Sequence, residues 1–144
     1  MYLLDTDILI YALKGDATVV ENLRRHAADP KAISVISYGE LIYGAQNSQQ
    51  VLANLAKAHR IRETLPIIDV TPAVMETFGL LKAELRRSGT LVDDFDLVIG
   101  ATALVLGYTM VTNNKKHFSK IPGITVVNWA EPVDPDGNAP DGDI

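Results

Sequence analysis

The sequence contains no cysteine. This absence excludes a disulfide framework, a thiolate metal site and a cysteine nucleophile, and it suits a reducing compartment. Any metal must then be held by oxygen or imidazole. Imidazole is scarce as well: His26, His59 and His117 are far apart and lack zinc spacing. The serines have no evident histidine partner, so nothing points to a nucleophilic triad. No apolar run approaches the roughly 20 residues that span a bilayer. The N-terminal Met1-Tyr2-Leu3-Leu4-Asp5 lacks the basic start and apolar stretch of a secretory signal. The expected protein is therefore soluble and cytoplasmic, with no membrane partner. Basic residues are missing from the last fourteen positions, which hold Glu131, Asp134, Asp136, Asp141 and Asp143. Without those five acids the formal net charge of −5 balances to zero, so global charge neither supports nor excludes a nucleic-acid substrate.

The composition that remains is ordinary for a globular chain, with 47% hydrophobic and 22% charged residues in 144. That length suits one domain with a sizeable core. The expected division is a folded domain over residues 1–130 and an acidic tail over 131–144. The tail is too rich in Pro, Gly and Asp to pack, and a disordered segment is expected there. Its Asp-Pro-Asp-Gly lacks the spacing and closing Glu of a calcium loop.

Apolar spacing predicts alternating strands and helices. Tyr2–Asp5 reads as a buried strand, followed by a helix over Ile8–Leu13 that Gly15 stops. Ala32–Ile36 reads as a second strand, with Ser37-Tyr38-Gly39-Glu40 opening a helix in a capping-box pattern. Residues 49–64 form a helix, and Ile67–Val70 a strand. Thr71-Pro72 then starts a helix that runs to Arg87 and stops at Ser88-Gly89. Asp93 or Asp94 caps a helix through Leu106, which Gly107 ends. Met110–Thr112 and Ile124–Val127 are the last strands, separated by a helical turn over Lys115–Phe118. This alternation predicts a three-layer α/β/α sandwich with a central parallel sheet.

In such a sheet, ligands bind beyond the carboxyl ends of the strands. Asp5, Glu40, Asp96 and the Asn113-Asn114 pair all fall at strand-to-helix junctions or in first helical turns. Each acid alone is accounted for by helix capping or the helix dipole. Together they are accounted for by a hard divalent cation, which relieves the repulsion between converging carboxylates. Oxygen ligands favour Mg²⁺ or Mn²⁺.

The segments MYLLDTDILIYALKG, ISVISYGELIYGA, GTLVDDFDLVIGATAL and MVTNNKKHFSKIPGITVVNW resemble, in order, the motifs of VapC-type PIN-domain ribonucleases, the toxins of type II toxin–antitoxin pairs. The resemblance covers Met1 to Trp129. It implies that Asp5 and Asp96 are the main metal-binding carboxylates, that Glu40 is the third acid, and that Asn113 or Asn114 occupies the fourth position of the site. It further implies endonucleolytic hydrolysis of RNA by metal-activated water, leaving a 5′-phosphate, with transfer RNA as the expected substrate. A homodimer and a cognate antitoxin are the expected partners. The family usually has Asn where this chain has Asp7, which either adds charge beside the metal or caps the helix. Thr6, Asp7, Asp94 and Asn114 are the expected surroundings of the cluster, and Asp93 is expected in solvent. His117 falls near the site, and His26 and His59 are expected on helix surfaces.

Local positive charge for RNA is offered by Arg86-Arg87, Lys115-Lys116 and Lys14. Ile8, Leu9, Tyr11, Ile42 and Tyr43 exceed what one helix face needs for the core, and an exposed apolar groove for a partner is expected there. Two other readings stand beside the nuclease. One is a PIN-like module that binds without cleaving. The other is a phosphotransferase that uses Asp5 of Asp5-Thr6-Asp7 as an aspartyl nucleophile; it leaves Glu40 without a role.

Overall fold

Leu3 and Leu4 are both fully buried although they point to opposite faces of a strand, as expected of a central strand covered on both sides. In the computed structural model, which describes residues 1–132, this strand is β1 (Tyr2–Leu4). It pairs in parallel with β2 (Lys31–Ser34) on one side and β4 (Thr109–Val111) on the other. β3 (Ile67–Ile68) and β5 (Val126–Val127) complete a five-stranded parallel sheet in the order β3-β2-β1-β4-β5. Leu3, Ala32 and Met110 face one core with α5 (Pro72–Arg87), α6 (Asp94–Leu106) and α7 (Lys115–Phe118). Leu4, Ile33 and Val111 face a second core with α1 (Thr6–Leu13), α2 (Ala17–Arg25), α3 (Val35–Gln46) and α4 (Val51–Thr64). The expected three-layer sandwich is the observed one.

The chain leaves β1 toward β2 and β3, then returns to build β4 and β5 on the other side. The order therefore reverses between β1 and β4, and their carboxyl ends open a crevice that no crossover covers.

α5 and α6 fall where their caps predict. Thr71 accepts a hydrogen bond from Val74 N, and Asp93 one from Phe95 N. Gly107 closes α6 with a left-handed φ of 68°. Three expectations need correction. A helix over Ala17–Arg25 was not foreseen; Asp16 caps it through Val19 N. The second strand ends at Ser34, whose hydroxyl caps α3 through Ile36 N, so the Ser37–Glu40 capping box does not form and Ser37 is buried inside the helix. Ile8 and Leu9 are core residues rather than an exposed groove, Tyr11 and Ile42 pack against the same core, and only Tyr43 of that set is open, at 69% exposure. Among the described residues no helix is long and apolar enough to cross a membrane. The predicted tail lies outside the described residues except for Glu131 and Pro132.

The last described turn, around Trp129, is fastened to α2. His26 was expected on a helix surface but stacks on Trp129 at 4.5 Å, with Tyr2 packed against both rings. The buried Asn22 side chain donates to the Trp129 and Glu131 carbonyl oxygens at 2.9 and 3.2 Å. Asn22→Ala strips two carbonyls of their partner and is expected to lower stability by about 1–3 kcal/mol. Trp129 is the only tryptophan, so urea unfolding followed by its fluorescence checks this directly. The native emission should shift to the red and the midpoint should fall; an unchanged midpoint would show that stacking alone fastens the segment.

Candidate functional site

The carboxyl end of β1 runs directly into α1, and Asp5 is the residue at the turn. Its Oδ1 accepts from the Thr6 backbone N–H at 2.8 Å, capping the helix. Its Oδ2 accepts from the Thr112 hydroxyl at 2.8 Å, across the crevice at the end of β4. Asp5 is only 6% exposed. Burial and the charge of Asp7 push its carboxyl up to about 7, with Asp96 adding to the rise, against the opposing bonds from Thr112 and Thr6.

Asp7 lies in the first turn of α1. It accepts from Ile8 N at 2.7 Å and from Asn113 N at 3.0 Å, and thereby ties the helix to the segment after β4. Burial raises its carboxyl despite these bonds. Asp7 does not cap α1, since Asp5 does.

The same relief from capping applies to Glu40. It lies in the second turn of α3, where its Oε1 accepts from the Thr6 hydroxyl at 2.8 Å. Asp96 lies in the first turn of α6 and is raised chiefly by burial. His117 opposes that rise, while Asp93 and Glu40 add to it. Nε2 of His117 stands 3.1 Å from Asp96 Oδ2, within ion-pair distance but without the alignment of a hydrogen bond. Asp5, Asp7, Glu40 and Asp96 thus come from α1, α3 and α6 onto one edge of the sheet, where Asp7 and Asp96 act on Asp5 and Glu40 acts on Asp96.

The surrounding residues divide. Thr6 reaches Glu40 as described. Asp93 is exposed and caps α6, both as expected, while the Asp94 carboxylate is taken by Lys82 at 2.8 Å. Asn113 is held by side-chain bonds to Tyr11 and Asn128, whereas exposed Asn114 opens α7 without a capping bond. Lys14 lines a groove together with Glu40. Lys115 and Lys116 lie in α7, beginning two residues beyond Asn113. Arg86 lines a shallow cleft with Leu97, beside Asp96 in sequence; Arg87 is exposed at the end of α5. Three positions bonded to this edge were not singled out for it in the sequence. Thr112 carried a weak signal as a hydroxyl at the end of β4, Tyr11 lies one turn beyond Asp7 on α1, and Asn128 follows β5.

The donor chemistry fits a hard divalent cation: four carboxylates gather at this edge with only His117, among the described residues, at ion-pair distance from them, so the cluster has an excess of negative charge. Among the described residues no three His, Asp or Glu side chains stand close enough together to ligate an ion as placed. Glu40 is turned to Thr6 and Asp96 stands against His117.

A PIN-domain family model matches residues 2–124. The chain is 33% identical over 128 residues to ribonuclease VapC2 of Haemophilus influenzae, covering 89% of this chain and 97% of that one. It is 35% identical over 129 residues to the tRNA(fMet)-specific endonuclease VapC of Salmonella typhimurium, covering 89% and 97%. In three dimensions it is similar to a chain of the Rickettsia felis VapBC2 complex with promoter DNA, at 35% identity and a TM-score of 0.83, covering 89% and 98%. It is also similar to a chain of a Klebsiella pneumoniae toxin–antitoxin complex, at 29% identity and a TM-score of 0.69, covering 90% and 98%.

A carboxyl raised by folding makes the native state bind more protons than the unfolded chain, so stability falls as pH rises between the ordinary value of 3.8 and about 7. Asp5→Asn removes that charge. Without added metal, the variant is expected to be more stable than the parent at pH 8, by about 1–3 kcal/mol, with the gain fading as pH falls toward 4. Millimolar Mg²⁺ should stabilise the parent at pH 8 and leave the variant unchanged. Thermal unfolding at several pH values is the check; a less stable variant at pH 8 would mean that the anion is favourably held.

Proposed function

The chain belongs to the PIN-domain family and, within it, to the VapC ribonucleases; from that premise we propose that it is a metal-dependent endoribonuclease and the toxin of a toxin–antitoxin pair. The observation that carries the metal-dependent reading is the gathering of Asp5, Asp7, Glu40 and Asp96 at the reversal of the sheet, where burial holds Asp5, Asp7 and Asp96 above the ordinary carboxylate range and neighbouring acids push Asp5 and Asp96 further. A fold keeps such a cluster at a cost in stability when a cation completes it.

Asp5 and Asp96 would hold Mg²⁺ or Mn²⁺, with Glu40 as the third acid. When bound, the ion lowers the pKa of a water and offsets charge that develops on the phosphate. The protein's own part is placement. Thr112 fixes Asp5 and Thr6 holds Glu40 through hydroxyl bonds of 2.8 Å. Lys115, Lys116 and Lys14 flank the edge and attract the RNA backbone, with Arg86 and Arg87 farther along α5 and Asp94 drawn off by Lys82. The substrate is structured RNA, and the Salmonella relative makes transfer RNA the first to try.

The antitoxin is assigned to a groove of about 360 Å³ between α1, α3 and α4. Ile10, Leu13, Leu41 and Ala58 line it, with Lys14 and Glu40 at its rim. An apolar helix seated there reaches the acid cluster and blocks RNA. A homodimer is proposed on the family premise.

The test is incubation of antitoxin-free protein with a mixed small-RNA pool that includes transfer RNA. Cleavage should require Mg²⁺ or Mn²⁺, stop with EDTA and fall at least about 100-fold in Asp5→Asn and in Asp96→Asn. A folded, metal-binding parent that cuts nothing would leave a binding module. Cleavage that survives both substitutions would place the chemistry elsewhere.

A further inference from the structure

The carboxamide of Asn113 has only one orientation that satisfies its neighbours, and the residues that impose it lie beyond β5. Asn128 Oδ1 accepts from the Ala130 backbone N–H at 2.9 Å. Asn128 Nδ2 donates to Glu131 Oε1 at 3.0 Å and to Asn113 Oδ1 at 3.1 Å. A backbone N–H only donates and a carboxylate only accepts, so Asn128 cannot be flipped. It therefore presents a donor to Asn113, whose oxygen must face it. The Asn113 Nδ2 is left on the other side, where it donates to the Tyr11 hydroxyl at 3.2 Å. Tyr11 lies on α1, the helix capped by Asp5, and the main-chain N–H of Asn113 donates to Asp7 on the same helix. Residue 113 thus turns two N–H groups toward α1 and its side-chain oxygen toward the C-terminal segment.

An amide nitrogen is no ligand for a hard cation, whereas its second hydrogen is a donor for an anion. Asn113 is exposed, and the lysines of α7 follow two residues later. We propose that Asn113 donates a hydrogen bond from Nδ2 to a phosphate oxygen of the RNA rather than ligating the metal through Oδ1, and that Asn128 and Glu131 are positioning residues that fix this orientation. The proposal rests on the RNA-cleaving reading above and gives its fourth site position a chemical role.

The test uses the full chain and an RNA that the parent cuts. Asn113→Ala should raise KM for that RNA about tenfold, the loss of one bond to a charged acceptor. Asn128→Asp keeps the acceptor for Ala130 and loses the donor for Asn113, and should raise KM about 3–10-fold. The double variant should be no worse than Asn113→Ala alone. Glu131→Gln, which still accepts, should behave as the parent. Mn²⁺ affinity without RNA, read by electron paramagnetic resonance, should stay at the parental value in Asn113→Ala, with thermal unfolding used to show that each variant is folded at the assay temperature. A weaker Mn²⁺ affinity in Asn113→Ala would make its oxygen a ligand and overturn the proposal. A parental KM in Asn128→Asp would remove the positioning role. A parent that cuts no RNA would overturn this inference together with the nuclease reading, an outcome visible before any asparagine variant is compared.

Discussion

The hydrogen bond from the Thr112 hydroxyl to Asp5, 2.8 Å long and buried, joins the ends of two neighbouring parallel strands across the one place where the sheet order reverses. Most of the carboxyl edge is arranged around it. Asp5 uses its other oxygen to start α1, so one side chain links β1, β4 and the first helix. The direction of α1 then places Thr6 against Glu40, Asp7 against the Asn113 main chain and Tyr11 against the Asn113 side chain. The end of β4 is therefore gripped at three successive depths of one short helix.

This arrangement is electrostatically unfavourable as it stands. Hydrogen bonds from Thr112 and Thr6 favour the Asp5 anion, yet burial and two neighbouring acids outweigh them and leave the carboxyl near 7. A capping carboxylate that faces solvent, as Asp93 does, starts its helix without the cost of desolvation. Asp5 caps from inside the crevice, with two acids near enough to repel it. The contrast between Asp93 and Asp5, two caps in opposite surroundings, separates an acid left in solvent from one that burial and neighbouring charge press toward protonation.

The same contrast sets what could be read from the sequence. α5 and α6 were legible because Thr71-Pro72, Asp93 and Gly107 act locally and nothing competes with them. α3 was misjudged at its start because Val35 and Ile36, β-branched, read as strand, while Ser37 and Glu40 mimic a cap one turn inside the true one at Ser34. α2 was missed because it is short and mostly polar, although Asp16 caps it and Val19 and Leu23 stand one turn apart on its buried face. The acids of the site were legible because they fall at strand-to-helix junctions or in early helical turns, and within segments that resemble the family's motifs. Thr112, Tyr11 and Asn128 were not: each acts through a single polar atom on a partner up to 107 residues away, and no local pattern encodes that.

The C-terminal segment shows how packing and chemistry come to share residues. Trp129 completes the core beside Tyr2 and His26, and Asn22 holds the carbonyls on either side of Ala130. Those contacts fix the backbone from 129 to 131, which in turn leaves Asn128 one place to stand, with its amide between Glu131 and Asn113. Glu131, an acid that composition assigns to the tail, is in this way part of the domain's polar network. Loosening α2 from Trp129 should then be felt at Asn113, at the end of β4, through the directional bonds that run from Asn22 to the backbone at 129–131 and on through Asn128.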